Sequence, residues 1–260
     1  MVIIPHGGVR VPGELSGYEA VTDFDLFIQS DSCANEVFNF NERVAATVKT
    51  DVSRFFIDLD RPYTALADQG DGVIKKTTLF GKPVFVDNMF PDEIAITNLL
   101  HRYYFPCHNA IQKIIDDGEI ELILDCHTML AVGPPLSPDA GKPRPLVLLE
   151  HQCLNGNKMI KTSADGMVAS LLDYLNKSFL KEDGTIAQKY SIKKEASHGF
   201  ILKKYGAGGI PFIRLSITRS LFLNDEFFSY DYIRVDELRI QHLKNLIWSA
   251  IEKFVNKNFV

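Results

Sequence analysis

The chain has 260 residues, with 28 Lys+Arg against 33 Asp+Glu for a formal charge of −5, and 46% of it is apolar against 23% charged. That balance argues against a basic nucleic-acid-binding surface, and the apolar fraction is enough to bury a large core at this length. No apolar run approaches the roughly 18 residues of a membrane-spanning helix, and Cys33, Cys107, Cys126 and Cys153 form no CxxC pair, which speaks against a disulfide framework or a zinc ribbon. A soluble, unsecreted, cytoplasmic protein with reduced thiols is expected.

In chain order, short apolar runs predict strands over Val2 to Ile4, Val44 to Val48, Arg54 to Asp58, Ile120 to Asp125, Pro145 to Leu149, Phe200 to Lys203 and Phe212 to Ile217. Helical spacing falls between them. Ser30 or Asp31 is a candidate cap for a helix carrying Ala34, Val37, Phe38 and Asn41. Pro91-Asp92-Glu93 begins a second helix running toward Asp117, in which Pro106 is expected to break or kink the ladder. Met167 to Leu175 and Tyr232 to Phe254 supply the others. Pro and Gly are dispersed and no repeat is visible, so residues 1–260 are read as one α/β domain. Strands alternating with helices predict a mixed, mainly parallel central sheet flanked by helices, with ligands at the carboxyl ends of strands.

Two histidines fall at such ends. His6 follows the first strand in Pro5-His6-Gly7-Gly8, and His127 follows the most apolar one in Leu124-Asp125-Cys126-His127-Thr128. Neutral imidazoles from two strand ends plus one carboxylate make a three-ligand site with an open position, the usual form of catalytic zinc. Spacing alone leaves Asp23, Asp25, Asp31 and Glu36 as candidate carboxylates. The densest polar run is Ser53-Arg54-Phe55-Phe56-Ile57-Asp58-Leu59-Asp60-Arg61-Pro62. Its arginines either pair with Asp58 and Asp60 as an ion-pair network or serve a substrate, since a guanidinium binds a carboxylate through two hydrogen bonds or stabilises an oxyanion. A cysteine hydrolase using Cys126 and His127 is a further class, opposed by the alternation of strand neighbours between faces.

Taken together these segments resemble the N-formylglutamate amidohydrolase family, itself similar in fold to zinc carboxypeptidases and aspartoacylase. The pieces, in order, are Pro5-His6-Gly7-Gly8, Ser53-Arg54 through Asp60-Arg61-Pro62, Thr77 through Pro83, Pro106-Cys107-His108, Asp125 through Met129, Thr162 through Gly166 and Gly199 through Gly206. The resemblance implies that His6 and His127 are metal ligands together with an acid about 22 residues before the Ser-Arg pair, which is Asp31. It implies zinc, or another divalent metal such as manganese, cobalt or nickel. It further implies that Arg54 polarises the scissile carbonyl and that Arg61, with Ser53 and Asp60 beside it, binds the substrate. The expected partner is a small-molecule amide, with no nucleic acid or membrane; oligomeric state is not readable.

Two departures from the family pattern bear on activity. Asp60 stands where the family has Asn, and an ionised Asp donates no hydrogen bond to a carboxylate and is expected to repel one. Ser216, in Phe212-Ile213-Arg214-Leu215-Ser216-Ile217, stands where the family has the glutamate expected as general base. Glu150, Glu195 and His198 are candidate substitutes, His108 a supporting residue and Asp125 either a holder of a ligand or a strand end. Two readings follow: a metal-dependent amidohydrolase or deacylase of a small N-acyl amino acid, and a degenerate member that binds a ligand without hydrolysing it.

Overall fold

The structure, a computed structural model, describes residues 1–65, 71–180, 190–193, 197 and 199–259. Its centre is a six-stranded sheet in the order β2-β1-β3-β8-β4-β7, formed by β1 (Val2–Ile4), β2 (Thr47–Lys49), β3 (Ile123–Met129), β4 (Val147–Glu150), β7 (Tyr190–Ile192) and β8 (Phe212–Thr218). All neighbours are parallel except β4 against β8. Two small hairpins complete the strands: β5 (Gln152–Asn155) with β6 (Lys158–Lys161), and β9 (Phe228–Ser229) with β10 (Arg234–Val235). The expected mixed, mainly parallel α/β sheet is present, and no helix among the described residues is long and apolar enough to cross a membrane.

Alternation along the strands explains both the core and the site. Val2, Ile4, Leu124, Cys126, Val147, Leu149, Ile213, Leu215 and Ile217 belong to one buried apolar cluster. Against this face lie α5 (Asp165–Leu180) and α7 (Glu237–Asn258). Helix α5 presents Val168, Leu171 and Leu175, and α7 presents Leu243, Ile247, Ile251 and Phe254, all buried at helical spacing. Each such side chain contributes about 1.5–3 kcal/mol of transfer free energy. On the opposite face the character changes along the strands. Ile3, Ile123 and Phe212 sit in a second apolar cluster with Ile111, Ile201 and Leu202, whereas Asp125, His127, Arg214, Ser216 and Glu150, farther along, are buried polar residues. That half-polar face is the floor of the site.

Several local expectations are corrected. Strand β3 runs on through His127, which lies inside the strand instead of beyond it. Arg54 to Asp58 is no strand: the Ser53 carbonyl accepts from the N–H groups of Phe56 and Ile57, closing a turn, and Phe55, Phe56 and Ile57 are all buried without alternation. Phe200 to Lys203 is the helix α6 (Phe200–Tyr205), because Ile201, Leu202 and Tyr205 bury at helical spacing. Asp31 caps nothing through its side chain. Cys33, in a left-handed conformation (φ 57°), precedes α2 (Ala34–Val37), and Asn41 lies in a separate short turn. Pro106 does not break its helix. Helix α3 (Glu93–Leu99) passes through a π-turn over Leu100–Tyr104 into α4 (Phe105–Asp116), and the Phe105 N–H donates back to Leu100. The widening falls immediately before Pro106, where the ladder lacks a donor. The last helix starts at Glu237, since Tyr232 to Asp236 holds the turn and strand β10.

Candidate metal centre

Two loops and one strand bring the predicted ligands together. His6 follows β1, and the chain there runs so close to its neighbours that a Cβ on Gly8 would lie 2.3 Å from the Asp51 carbonyl carbon; only glycine allows this approach. Asp31 precedes α2, where its N–H donates to the His6 carbonyl at 3.2 Å. His127 rises from β3. His6, Asp31 and His127 are buried, and each offers a ligand atom, all three lying within 4.8 Å of one another.

The two imidazoles are oriented alike. His6 Nε2 is 2.7 Å from Asp58 Oδ1, and His127 Nε2 is 3.0 Å from Asp125 Oδ1. Both Nδ1 atoms therefore turn toward Asp31, whose Oδ2 lies 2.9 Å from His127 Nδ1 and 3.8 Å from His6 Nδ1. His6 Nδ1 is buried without a hydrogen-bond partner, an expensive state for a polar atom unless a ligand takes it. Ligand atoms about 2.0–2.1 Å from a tetrahedral zinc lie about 3.3 Å apart, so small shifts suffice. The group fits a divalent cation, with each histidine held by a carboxylate on its far nitrogen in the manner of metal sites generally.

The electrostatics agree. Burial alone pushes the Asp31 carboxyl up, but the hydrogen bond from His127 and the charge of both histidines outweigh it and hold the group well below the usual carboxylate range. Burial likewise raises Asp58, which Lys75, His6 and Arg54 bring far down. For His127 burial pushes down, yet Asp125 and Asp31 lift the imidazole to about 9. Without metal this group is raised above its ordinary value of about 6.5. Its stabilising contribution, up to about 3 kcal/mol, is complete below pH about 6.5 and is lost as pH rises through 9. Melting curves in chelator should thus fall more steeply across that window for the wild type than for His127→Gln; parallel curves would contradict the assignment.

The polar run after Ser53 packs around these ligands. Arg54 donates to Asp58 Oδ2 at 3.1 Å and stands 3.8 Å from Asp31 Oδ1, so it lies at the metal group. Lys75 bridges Asp58, at 2.8 Å, and Asp71. Arg61 pairs with the half-exposed Asp71 and donates to the Asp60 carbonyl at 2.8 Å. Ser53 Oγ lies 3.2 Å from Ser30 Oγ and serves the local turn. The Asp60 carboxylate is occupied on both oxygens, by Arg214 at 2.8 Å and by the Ile201 N–H at 2.8 Å. It does not present a free negative charge.

Lys75, Arg214 and Arg219 went unmarked in the sequence reading. The alternation Arg214, Ser216, Thr218 within an apolar strand was the available signal for Arg214. Arg219, at the end of β8, donates to the Ile28 and Ser30 carbonyls and to Ser32 Oγ, fastening the loop that carries Asp31. His108 Nε2 donates to the Leu59 carbonyl at 3.0 Å, and its Nδ1 accepts from Tyr205 Oη at 2.8 Å; burial pushes it down to about 4, and it braces the loop as a neutral ring. Glu150 is engaged with Lys193 at 3.0 Å. Glu195 and His198 lie outside the described residues. Cys126 is buried in the apolar cluster on the face opposite His127, where burial holds its thiol far above the reactive range, which disfavours the cysteine-hydrolase class.

A profile of the N-formylglutamate amidohydrolase family matches residues 1–223. The chain belongs to that family. No curated protein matches the sequence. Among solved structures, the N-formylglutamate amidohydrolase from Ralstonia eutropha JMP134 superposes with a TM-score of 0.73 at 16% identity, covering 98% of this chain and 93% of that one. A gene product from Agrobacterium tumefaciens gives a TM-score of 0.60 at 14% identity, covering 97% and 90%. At these identities the likeness concerns the fold. The site of this family member must be argued from its own side chains.

Proposed function

We propose that this N-formylglutamate amidohydrolase family member is a metal-dependent amidohydrolase of a small N-acyl amino acid or related amide, with His6, Asp31 and His127 holding zinc. The observation that carries the reading is the convergence of two histidine Nδ1 atoms, one of them unpartnered, on one buried carboxylate. A zinc ion there would supply Lewis acidity and a water acidic enough to attack at neutral pH. Arg54, beside Asp31, is the group suited to stabilise the oxyanion of an attacked amide carbonyl. Arg61 is suited to a substrate carboxylate, for which it would exchange the half-exposed Asp71. Ser53 acts by shaping the turn that carries Arg54. Asp58 and Asp125 hold the far nitrogens of the two histidines and so fix which nitrogen faces the metal.

A second reading is favoured by one residue. Ser216 occupies the floor next to His127, where a carboxylate base would serve, and a serine hydroxyl has no pKa suited to that role. A member that binds an acyl amino acid without cleaving it fits this position.

Metal content by mass spectrometry on tag-free protein, with hydrolysis of a panel of N-acyl amino acids that includes N-formylglutamate, tests both. About one zinc per chain and turnover of any panel member support the hydrolase. One zinc with tight binding and no turnover supports the second reading. Folded protein that takes up no zinc when it is offered overturns the metal centre.

A further inference from the structure

Behind His127 lies a buried chain of charges that reaches across the sheet floor to another element. Arg214 is on β8, directly beside Asp125 of β3 in register. Its Nε donates to Asp125 Oδ2 at 2.7 Å, and its Nη2 reaches the same oxygen at 2.6 Å and Asp60 Oδ2 at 2.8 Å. The other oxygen of Asp125 holds His127 Nε2, and the other oxygen of Asp60 holds the N–H of Ile201 in the first turn of α6. Every polar atom named here is accounted for, and Arg214, Asp60 and Asp125 are all buried. The backbone makes room for the guanidinium: a Cβ on Gly199 would lie 2.0 Å from Arg214 Nη2.

We infer that Arg214 is a positioning residue for His127, acting through Asp125, and that Asp60 is its buried counter-charge and not a substrate contact. A guanidinium never loses its proton in a protein, so against Asp125 alone it would cancel the charge that His127 needs at Nε2. Asp60 takes up that positive charge from the far side. The trio Asp125, Arg214, Asp60 keeps one net negative charge, and it faces His127. Two N–H groups of the planar fork also converge on Asp125 Oδ2 while one of them reaches Asp60, an arrangement the point charge of a lysine would not reproduce. The same three residues tie the loop bearing Asp60, helix α6 and the sheet to the orientation of a single imidazole. His6, held by Asp58 Oδ1, meets this chain only through the backbone N–H of Asp60, which donates to the same oxygen at 2.9 Å and which Asp60→Asn keeps; His6 therefore serves as an internal control for the side-chain charges.

The inference rests on the metal-centre reading only in one of its two readouts. The first is the His127 Nε2–H resonance in 15N-histidine-labelled, metal-free protein; the second is zinc affinity by chelator competition. Arg214→Gln alone leaves two buried carboxylates uncompensated and is liable to unfold. The decisive variant is therefore Asp60→Asn with Arg214→Gln, which removes one charge of each sign together and keeps an acceptor for the Ile201 N–H. In it the His127 Nε2–H signal is expected to broaden or vanish by exchange while that of His6 persists, and zinc binding is expected to weaken about 10- to 100-fold. Arg214→Lys is expected to recover only part of either loss. A folded double variant with the His127 signal intact and zinc affinity within about twofold of wild type overturns the proposal, as does loss of both histidine signals together, which marks a merely structural role. If the wild type takes up no zinc, the metal centre fails and the proton resonance still decides this inference.

Discussion

His127→Ala is expected to lose zinc, with affinity falling by about 10²–10³-fold, and to lose hydrolysis with it. The magnitude follows from dividing a typical apparent zinc-binding free energy of about 10–16 kcal/mol over four ligands. The geometry says why one imidazole matters so much here. His127 Nδ1 is the nearest nitrogen to Asp31, at 2.9 Å, and its far nitrogen is already committed to Asp125. Among the described residues no other His, Cys, Asp or Glu joins the group, and Ser216, the register partner of His127 on β8, is a poor zinc ligand. Because the truncation also strips a hydrogen-bond donor from two buried carboxylates, His127→Gln should accompany it. The amide can still donate to Asp125 while ligating weakly, so this variant separates loss of metal from loss of fold. Metal content and chelator competition, read beside a melting curve, are the measurements. Stoichiometric zinc retained in both folded variants would sink the assignment.

Ser216→Glu is expected to raise kcat by about 10², up to 10⁴, with little change in KM, the range by which a positioned general base accelerates such reactions. Ser216 lies directly opposite His127 in the parallel register of β3 and β8, on strands about 4.8 Å apart, and partners in register share a face. A glutamate there would set its carboxylate beside the ligand group, within reach of a water held at the metal. Arg214, two residues earlier on the same face, is already committed to Asp125 and Asp60, so the new acid would need a cation at the ligand group as its counter-charge. Steady-state kinetics on whichever panel amide is turned over decide the matter. A rise identifies Ser216 as the missing proton acceptor's position. A fall in kcat with zinc retained means that another group already moves the proton, and Glu150 would then be the first to replace. If neither wild type nor variant hydrolyses any amide, the non-hydrolytic reading gains.

The amino-acid sequence by itself determined much of this protein. The apolar runs marked β1, β3, β4 and β8, and the helical spacing of α5 and α7 was plain, because a strand or helix that buries one face writes its period into the chain. The order of the motifs carried the family, and with it His6, Asp31 and His127. Tertiary structure alone decided the rest. From Arg54 to Asp58 the side chains read as a strand, yet the Ser53 carbonyl captures two N–H groups and closes a turn; apolar content does not distinguish a buried turn from a buried strand. Phe200 to Lys203 misled for the same reason.

The larger gap concerned the charged residues. Asp60 seemed from its type to be a repulsive presence in a substrate pocket, whereas Arg214, 154 positions away, occupies it. Which nitrogen of each histidine faces Asp31 depended on Asp58 and Asp125, both acids with other plausible roles in the linear chain. A buried charge takes its meaning from the partner that neutralises it. Such partners come from different loops and strands, at sequence separations that leave no period and no motif, and the fold is what selects them.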